Sequence, residues 1–436
     1  MKHITYFLFF IFIINFNNSF AEDKKGLSLQ DSIKYTYENN NELKAVREDL
    51  KATKTYKTQA IGEGFLPTVS LESQRGDSSS TSNLSTGGKQ RIERDIDKDQ
   101  VVLSQPIFRG GRTLTQLKTE NSRIKIKQYE LLEKEQSLIL QTINAYIDVL
   151  QTQTIYKIAK ENKQALKKSY DYSLIRKQYK KANLSEVSFA EARYSLARKE
   201  LIEAKKNFIL SESNFEKIIG LKPYLLKDNL NILFRKIRGK KFTEEEVYNK
   251  SLSQNINYLS YKETYQFNRN NLRNAKTEFA PSVYLKAVSS KGREYNTTES
   301  RMLNTNENSV SLNLSIPLMS SGSNYFNHKR ASHLVNKSKF DLFNAKKSLK
   351  NESIKVYEEL VASKSFVHFM QIYVKSTKTS LYAMEQEEKY GQKTIIDVLD
   401  RRKEYFAAKI NLINAKVDST KAYYNLKFFI GELKVN

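Results

Sequence analysis

Proline and glycine are sparse in this chain, and their positions read as the places where a long helix or strand is expected to stop. The prolines are Pro67, Pro106, Pro223, Pro281 and Pro317, and the glycines cluster beside them or lie far apart. Residues 112–219 and 323–390 contain neither type. A proline costs a helix interior about 3 kcal/mol and a glycine about 1 kcal/mol, so these two stretches permit very long helices. At 1.5 Å per residue, the 323–390 stretch alone reaches roughly 100 Å, well beyond the width of a globular domain. The chain is built to cross a distance.

The punctuation also repeats. Pro106, Gly111 and Gly220 recur 211 positions later as Pro317, Gly322 and Gly431. Leu103-Ser104-Gln105-Pro106-Ile107 matches Leu314-Ser315-Ile316-Pro317-Leu318, and Tyr194, Ala197, Leu201 and Ala204 match Tyr405, Ala408, Leu412 and Ala415. Two internal repeats stacked about a shared axis are expected. The expected first repeat is 22–220, with a helix, strands near 65–76 and 100–109, and a helical hairpin over 112–219. A connecting segment over 221–245 follows. The second repeat is 246–431, with a helix, strands near 282–291 and 309–318, and a hairpin over 323–430, leaving a tail at 432–436.

The first 21 residues fit a cleaved signal peptide. Lys2 gives a positive start, Ile4–Phe16 is a mainly apolar run, and Ser19-Phe20-Ala21 is a small-x-small end; a run of thirteen residues is too short to span a bilayer. No cysteine is present, so neither a disulfide framework nor a lipid-attachment thiol exists. Lys and Arg number 73 against 48 Asp and Glu, a net charge of +25. The lysines are spread along every long segment and interleaved with glutamate, whereas a nucleic-acid reader would gather them on one face. No nucleic-acid partner is expected.

Ser309–Leu318 carries the strand signal. Val310, Leu312, Leu314, Ile316 and Leu318 alternate with Ser311, Asn313, Ser315 and Pro317, the lipid-outside, water-inside pattern of a membrane β-barrel strand. Val283, Leu285 and Ala287 alternate less cleanly, and Val69 with Leu71 and Val101 with Leu103 more weakly still. Asp77–Asp99 and Arg293–Asn308 read as polar loops joining the strand pairs. Four strands cannot close a barrel, and in lipid every backbone group must be paired, so several chains would have to pool their strands. The helices carry a coiled-coil period: Val187, Ala190, Tyr194, Ala197, Leu201, Ala204, Phe208, Ser211, Phe215 and Ile218 are spaced 3,4,3,4, which marks a supercoiled seam. In the preceding helix Tyr129, Leu132, Ile139, Ile143, Tyr146 and Leu150 continue the pattern, and Leu140 and Ile147 lie off that seam, so neighbours on two sides are expected.

The order of helix, Phe65-Leu66-Pro67 strand, polar loop, Leu103-Ser104-Gln105-Pro106-Ile107-Phe108-Arg109-Gly110-Gly111 strand and long helical hairpin, used twice, resembles the TolC-like outer-membrane efflux proteins. The segment Gly391-Gln392-Lys393-Thr394-Ile395-Ile396-Asp397-Val398-Leu399-Asp400 is similar to their second hairpin tip. The resemblance implies a mainly α fold with membrane β: a homotrimer whose four strands per chain form a twelve-stranded barrel in outer-membrane lipid, and whose coiled-coil hairpins form a periplasmic α-barrel. It implies the outer membrane of a Gram-negative bacterium, and as partners a periplasmic adaptor (membrane fusion) protein and an inner-membrane RND or ABC transporter. Substrate would pass passively outward, in efflux or type I secretion. It places a periplasmic gate at Asp397, Asp400, Lys393 and Glu186, and adaptor docking at Ala182, Leu184, Ser185, Gly391 and Thr394. The chain departs from the family pattern in several places. Lys180, or Ala182 in another register, stands where a glycine is usual, Glu186 where an aspartate is, and Glu388 where an aromatic is.

Catalysis has no inventory here. His3, His328, His333 and His368 form no His-Glu-x-x-His pair, and Gly87-Gly88-Lys89 lacks the leading glycine of a phosphate loop, position 83 being asparagine. No cofactor and no metal are expected. The alternative to a conducting duct is a non-conducting trimeric coiled-coil tether or adhesin of the envelope. That alternative needs neither a lipid/water alternation nor paired acids at a helix turn.

Overall fold

A computed structural model describes residues 26–83, 88–239, 241–296 and 301–434; the expected signal peptide lies outside the described residues. Helices α1 (Leu29–Asn39) and α2 (Asn41–Phe65) lead into strands β1 (Thr68–Asn83) and β2 (Lys89–Arg109). A helical hairpin of α3 (Arg112–Gln178) and α4 (Leu184–Ile219) follows, then the short α5 (Leu230–Arg238). The same order returns as α6 (Glu244–Gln254), α7 (Ile256–Thr277), β3 (Ser282–Asn296), β4 (Arg301–Ser315), α8 (Ser323–Lys389) and α9 (Ile395–Phe429). Helices α3 and α8 each have 67 residues, about 100 Å of helix.

Each short entry helix is broken by an asparagine. The Asn40 N–H closes α1 on the Thr36 carbonyl, while its side chain accepts from Leu43 N and starts α2. Asn255 does the same between α6 and α7, with Ser251 and Tyr258. An Asn side chain competes for backbone hydrogen bonds and so favours a cap over a helix interior. The helix expected at the head of each repeat is therefore two helices. The expected connecting segment 221–245 contains α5 and the first residues of α6.

The strands form one antiparallel sheet in the order β1-β2-β3-β4. Its register puts Leu71 opposite Val101, Val69 opposite Leu103, Leu103 opposite Ala287, Ala287 opposite Val310 and Leu285 opposite Leu312. One face is thus an apolar band, half-buried on the inner strands and open on the outer ones: Leu71 is 75% exposed and Val310 74%. Alternation sends Ser70, Ser104, Lys286, Ser311 and Asn313 to the other face.

The strands outrun their expected windows. Most of Asp77–Asp99 and Arg293–Asn308, expected as loops, continues the β-ribbon. Their polar residues pair across the ladder: Arg75 meets Asp97 at 2.7 Å and Asp99 at 3.1 Å, and Ser73 donates to Asp99 at 2.6 Å. These charges share a face with Val69 and Leu71 and mark where the apolar band ends. At the other end β4 stops at Ser315, so Ile316–Leu318 lie beyond the strand expected to contain them. Pro317 has no N–H to donate to a ladder.

The core is a thin seam. Of the heptad residues on α4, Val187, Ala190, Ala197, Ala204 and Phe215 are buried, and at the end Ile219 is buried ahead of Ile218. A straight α-helix drifts about 20° per heptad from a 3.5-residue repeat, which moves the contact one residue on. Midway along α3, Leu138, Ile139, Ile143, Tyr146, Ile147, Val149 and Leu150 are buried on nearly every side. There α3 packs with α1, α4, α5 and α9.

Candidate functional site: the two hairpin tips

The α3–α4 and α8–α9 turns are built alike. At the first, Lys180 N donates to the Lys177 carbonyl at 2.9 Å and Lys181 N to that of Arg176 at 2.8 Å. At the second, Gly391 N donates to the Glu388 carbonyl at 2.9 Å and Gln392 N to that of Glu387 at 2.9 Å. Closure of this kind needs a left-handed residue after the helix. Gly391 supplies it at φ 74° and Lys180, although not a glycine, at φ 57°. Lys180, not Ala182, is therefore the residue in the glycine's place.

Reciprocal caps open the next helix at both tips. Glu186 N donates to Asn183 Oδ1 at 2.8 Å, and Asn183 N to Glu186 Oε2 at 3.1 Å. At the second tip Asp397 N donates to Thr394 Oγ1 at 3.3 Å, while Thr394 N and its hydroxyl donate to Asp397 Oδ2 at 2.9 and 2.8 Å. Such a box satisfies the free donors of a helix start. The Asp397 carboxyl is held below its ordinary value of 3.8, first by the Thr394 N–H, then by the Thr394 hydroxyl, with Lys393 and Arg401 adding charge attraction. Thus Glu186, Asp397 and Thr394 are the caps, whereas Leu184, Ser185, Lys393 and Gly391 stand exposed on the outer turn and Ala182 is half-buried.

Asp400 does not share the role of Asp397. Its Oδ1 lies 2.5 Å from Arg193 Nη2 on α4, which joins the second hairpin to the first. A second link runs from Arg176 on α3 to Glu388 at the end of α8, at 2.7 Å. A third, Arg402 to Glu385 at 2.5 Å, ties α9 to α8. Beneath these ion pairs Leu166, Ala190, Ala197, Ile395 and Leu399 form a small apolar core. A groove of about 530 Å³ runs between the hairpins, lined by residues such as Glu161, Lys168, Tyr172, Glu388 and Arg402.

The structure brings Asp397, Asp400 and Lys393 together at one helix start and puts Glu186 at the matching start of α4. The cross-links through Arg176 and Arg193 are absent from the sequence expectations. Their partners lie 212 and 207 residues away, and no local period reveals such pairs. Among the described residues, no His, Cys, Asp and Glu cluster could hold a metal ion, and no helix is long and apolar enough to cross a membrane.

Comparison with known proteins gives a consistent result. The chain is 23% identical to the alkaline protease secretion protein AprF of Pseudomonas aeruginosa over 449 aligned positions, covering 99% of this chain and 89% of that protein. It is 24% identical over 305 positions to the outer membrane protein TolC of Salmonella enteritidis, covering 69% of this chain and 62% of the other. Its fold matches the crystal structure of the Campylobacter jejuni CmeC outer membrane channel with a TM-score of 0.74 at 17% identity, over 93% of this chain and 85% of that one. The family model described as outer membrane efflux protein matches residues 33–221 and 249–432, and the chain belongs to that family.

Proposed function

We propose that three copies of this chain form a passive exit duct, a β-barrel in the outer membrane continued by an α-helical tunnel through the periplasm. The observation that carries the reading is the open sheet. Strands β1 and β4 each leave one edge unpaired, and one face is an exposed apolar band. In hydrocarbon an unpaired edge is untenable, so β4 of one copy must pair with β1 of the next. Two copies would give eight strands, a barrel that side chains fill; twelve strands leave a lumen. Exposed Phe340, Phe343, Phe366 and Phe369 on α8, and Ile202, Ile209 and Leu210 on α4, fit helices awaiting neighbours in the same ring. A non-conducting tether would have no use for the apolar band.

In this reading the tips form the periplasmic mouth. Asp397, Asp400, Lys393 and Glu186 make up its gate. The exposed turns with Ala182, Leu184, Ser185, Gly391 and Thr394 receive a periplasmic adaptor that couples the duct to an inner-membrane RND or ABC transporter. Likeness to a protein named for alkaline protease secretion, over nearly the whole chain, supports type I secretion beside small-molecule efflux. The duct performs no catalysis.

The test is purification of the full-length protein from outer membranes and its insertion in a planar bilayer. Trimers that survive in detergent and conduct ions are expected; trimers without conductance would restore the tether. Docking is checked by Gly391→Leu. Gly391 has nothing within 4 Å of where a Cβ would sit, so the backbone strain of its positive φ, and not a clash of the Cβ, is the cost within its own chain. Loss of export from correctly assembled trimers would place the adaptor at this turn, and normal export would place it elsewhere.

A further inference from the structure

We infer that Arg193 sets the charge of the duct's mouth by neutralising Asp400, leaving Asp397 as the uncompensated acid of the pair; this rests on the duct reading. The two acids are three residues apart on α9 and would count equally as pore charges. Their surroundings differ. Among the described residues Asp397 is bonded only to its own helix start, through Thr394, so its charge remains. Asp400 faces a guanidinium at 2.5 Å that belongs to the other hairpin.

That guanidinium is built in. The Arg193 side chain is 21% exposed against 55% for Asp400, and its guanidinium carbon lies 4.7 Å above the Phe189 ring. Its Nε is buried and has no partner among the described residues. Arg193 sits one turn from Ala190 and one from Ala197, both buried in the small apolar core under the tips. An arginine stacked on a ring and backed by packing is pre-organised, in contrast to a free surface lysine. Its charge falls within contact distance of the carboxylate, so a passing ion sees a dipole where sequence alone suggests an anion.

The experiment measures reversal potential in a KCl gradient across planar bilayers holding full-length trimers. Arg193→Gln should raise the cation-to-anion permeability ratio roughly threefold, because each freed Asp400 adds a negative charge to the mouth. Asp400→Asn should shift the ratio toward anions, and Arg193→Gln with Asp400→Asn should return it to the parent value. The charge swap Arg193→Asp with Asp400→Arg keeps the test open if Arg193→Gln does not assemble. The swap should conduct with parental selectivity, whereas a free pore acid would give an inverted preference whatever stands at 193. Conducting trimers whose selectivity ignores Arg193 would overturn this assignment alone. A parent protein that forms no conducting trimer would overturn the duct reading as well.

Discussion

Lys180 adopts at the first hairpin tip the left-handed backbone that Gly391 adopts at the second, φ 57° against 74°, and the two lie 211 positions apart. The same hydrogen bonds close both turns. A side chain in that conformation costs about 1–2 kcal/mol, offset in part because glycine loses more backbone freedom on folding. Lys180→Gly should therefore stabilise the first tip by roughly 0.5–1 kcal/mol, and Gly391→Ala should cost about 1 kcal/mol at the second. Amide exchange of the tip residues in purified trimers checks both. Slower exchange in Gly391→Ala would mean that the positive φ carries no strain.

The sheet predicts an asymmetry between neighbours in β4. Leu312 lies in the apolar band opposite Leu285, and Asn313 points to the other face opposite Tyr284. Leu312→Arg would place a charge in hydrocarbon, at about 2–4 kcal/mol near the midplane. Asn313→Arg would enter the wet side at little cost. Heat-stable trimers counted in outer-membrane fractions should fall for the first and persist for the second. Equal loss in both would remove the lipid face from this side of the sheet.

Much of this architecture was legible in the sequence because its signals are local. Breaker spacing delimits α3 and α8, and alternation in Ser309–Ser315 marks one strand face. Asp77–Asp99 was not legible as strand, because it has polar residues on both faces and hence no period; its order comes from cross-strand pairs such as Arg75 with Asp97. The acids Asp397 and Asp400 could be located from their motif, yet their difference could not. It depends on Arg193, 207 residues away in the chain and adjacent only in the fold.

Gly431 closes the second repeat where no side chain fits. At φ 73°, an added Cβ would lie 2.4 Å from the Gln254 carbonyl oxygen, which is backbone and cannot turn aside. The segment is held by Gln136 Nε2 donating to the Gly431 carbonyl at 3.0 Å and Asn255 Nδ2 donating to that of Phe429 at 2.8 Å. A shift large enough to relieve the clash would break one or both. Gly431→Ala should destabilise the protomer by about 2–4 kcal/mol. Gly239→Ala, with open space and an ordinary φ of −81°, should stay within about 0.5 kcal/mol of the parent. Thermal unfolding in detergent compares the pair, and equal midpoints would show that the chain relaxes around Gly431 at no cost.

The cap at Asp397 makes the start of α9 sensitive to acid. Its carboxyl is held below 3.8 chiefly by the Thr394 N–H and hydroxyl, bonds that need the ionised form. A depressed folded value means that the unfolded chain binds the proton more readily, so the cap stabilises the helix at every pH above 3.8 and loses that contribution as pH falls through the lowered value. Asp397→Ala should therefore speed amide exchange at Thr394 at pH 7, since the Thr394 N–H loses its carboxylate acceptor. The gap between variant and parent should close below the ordinary carboxylate range, where the parent is protonated as well. Arg193 and Asp400 lie a turn further along and should keep their ion pair in the variant, so the ion selectivity of Asp397→Ala trimers at neutral pH reports the charge at 397 alone. A gap in exchange that is the same at pH 7 and in acid would show that Asp397 acts by packing and not by its charge.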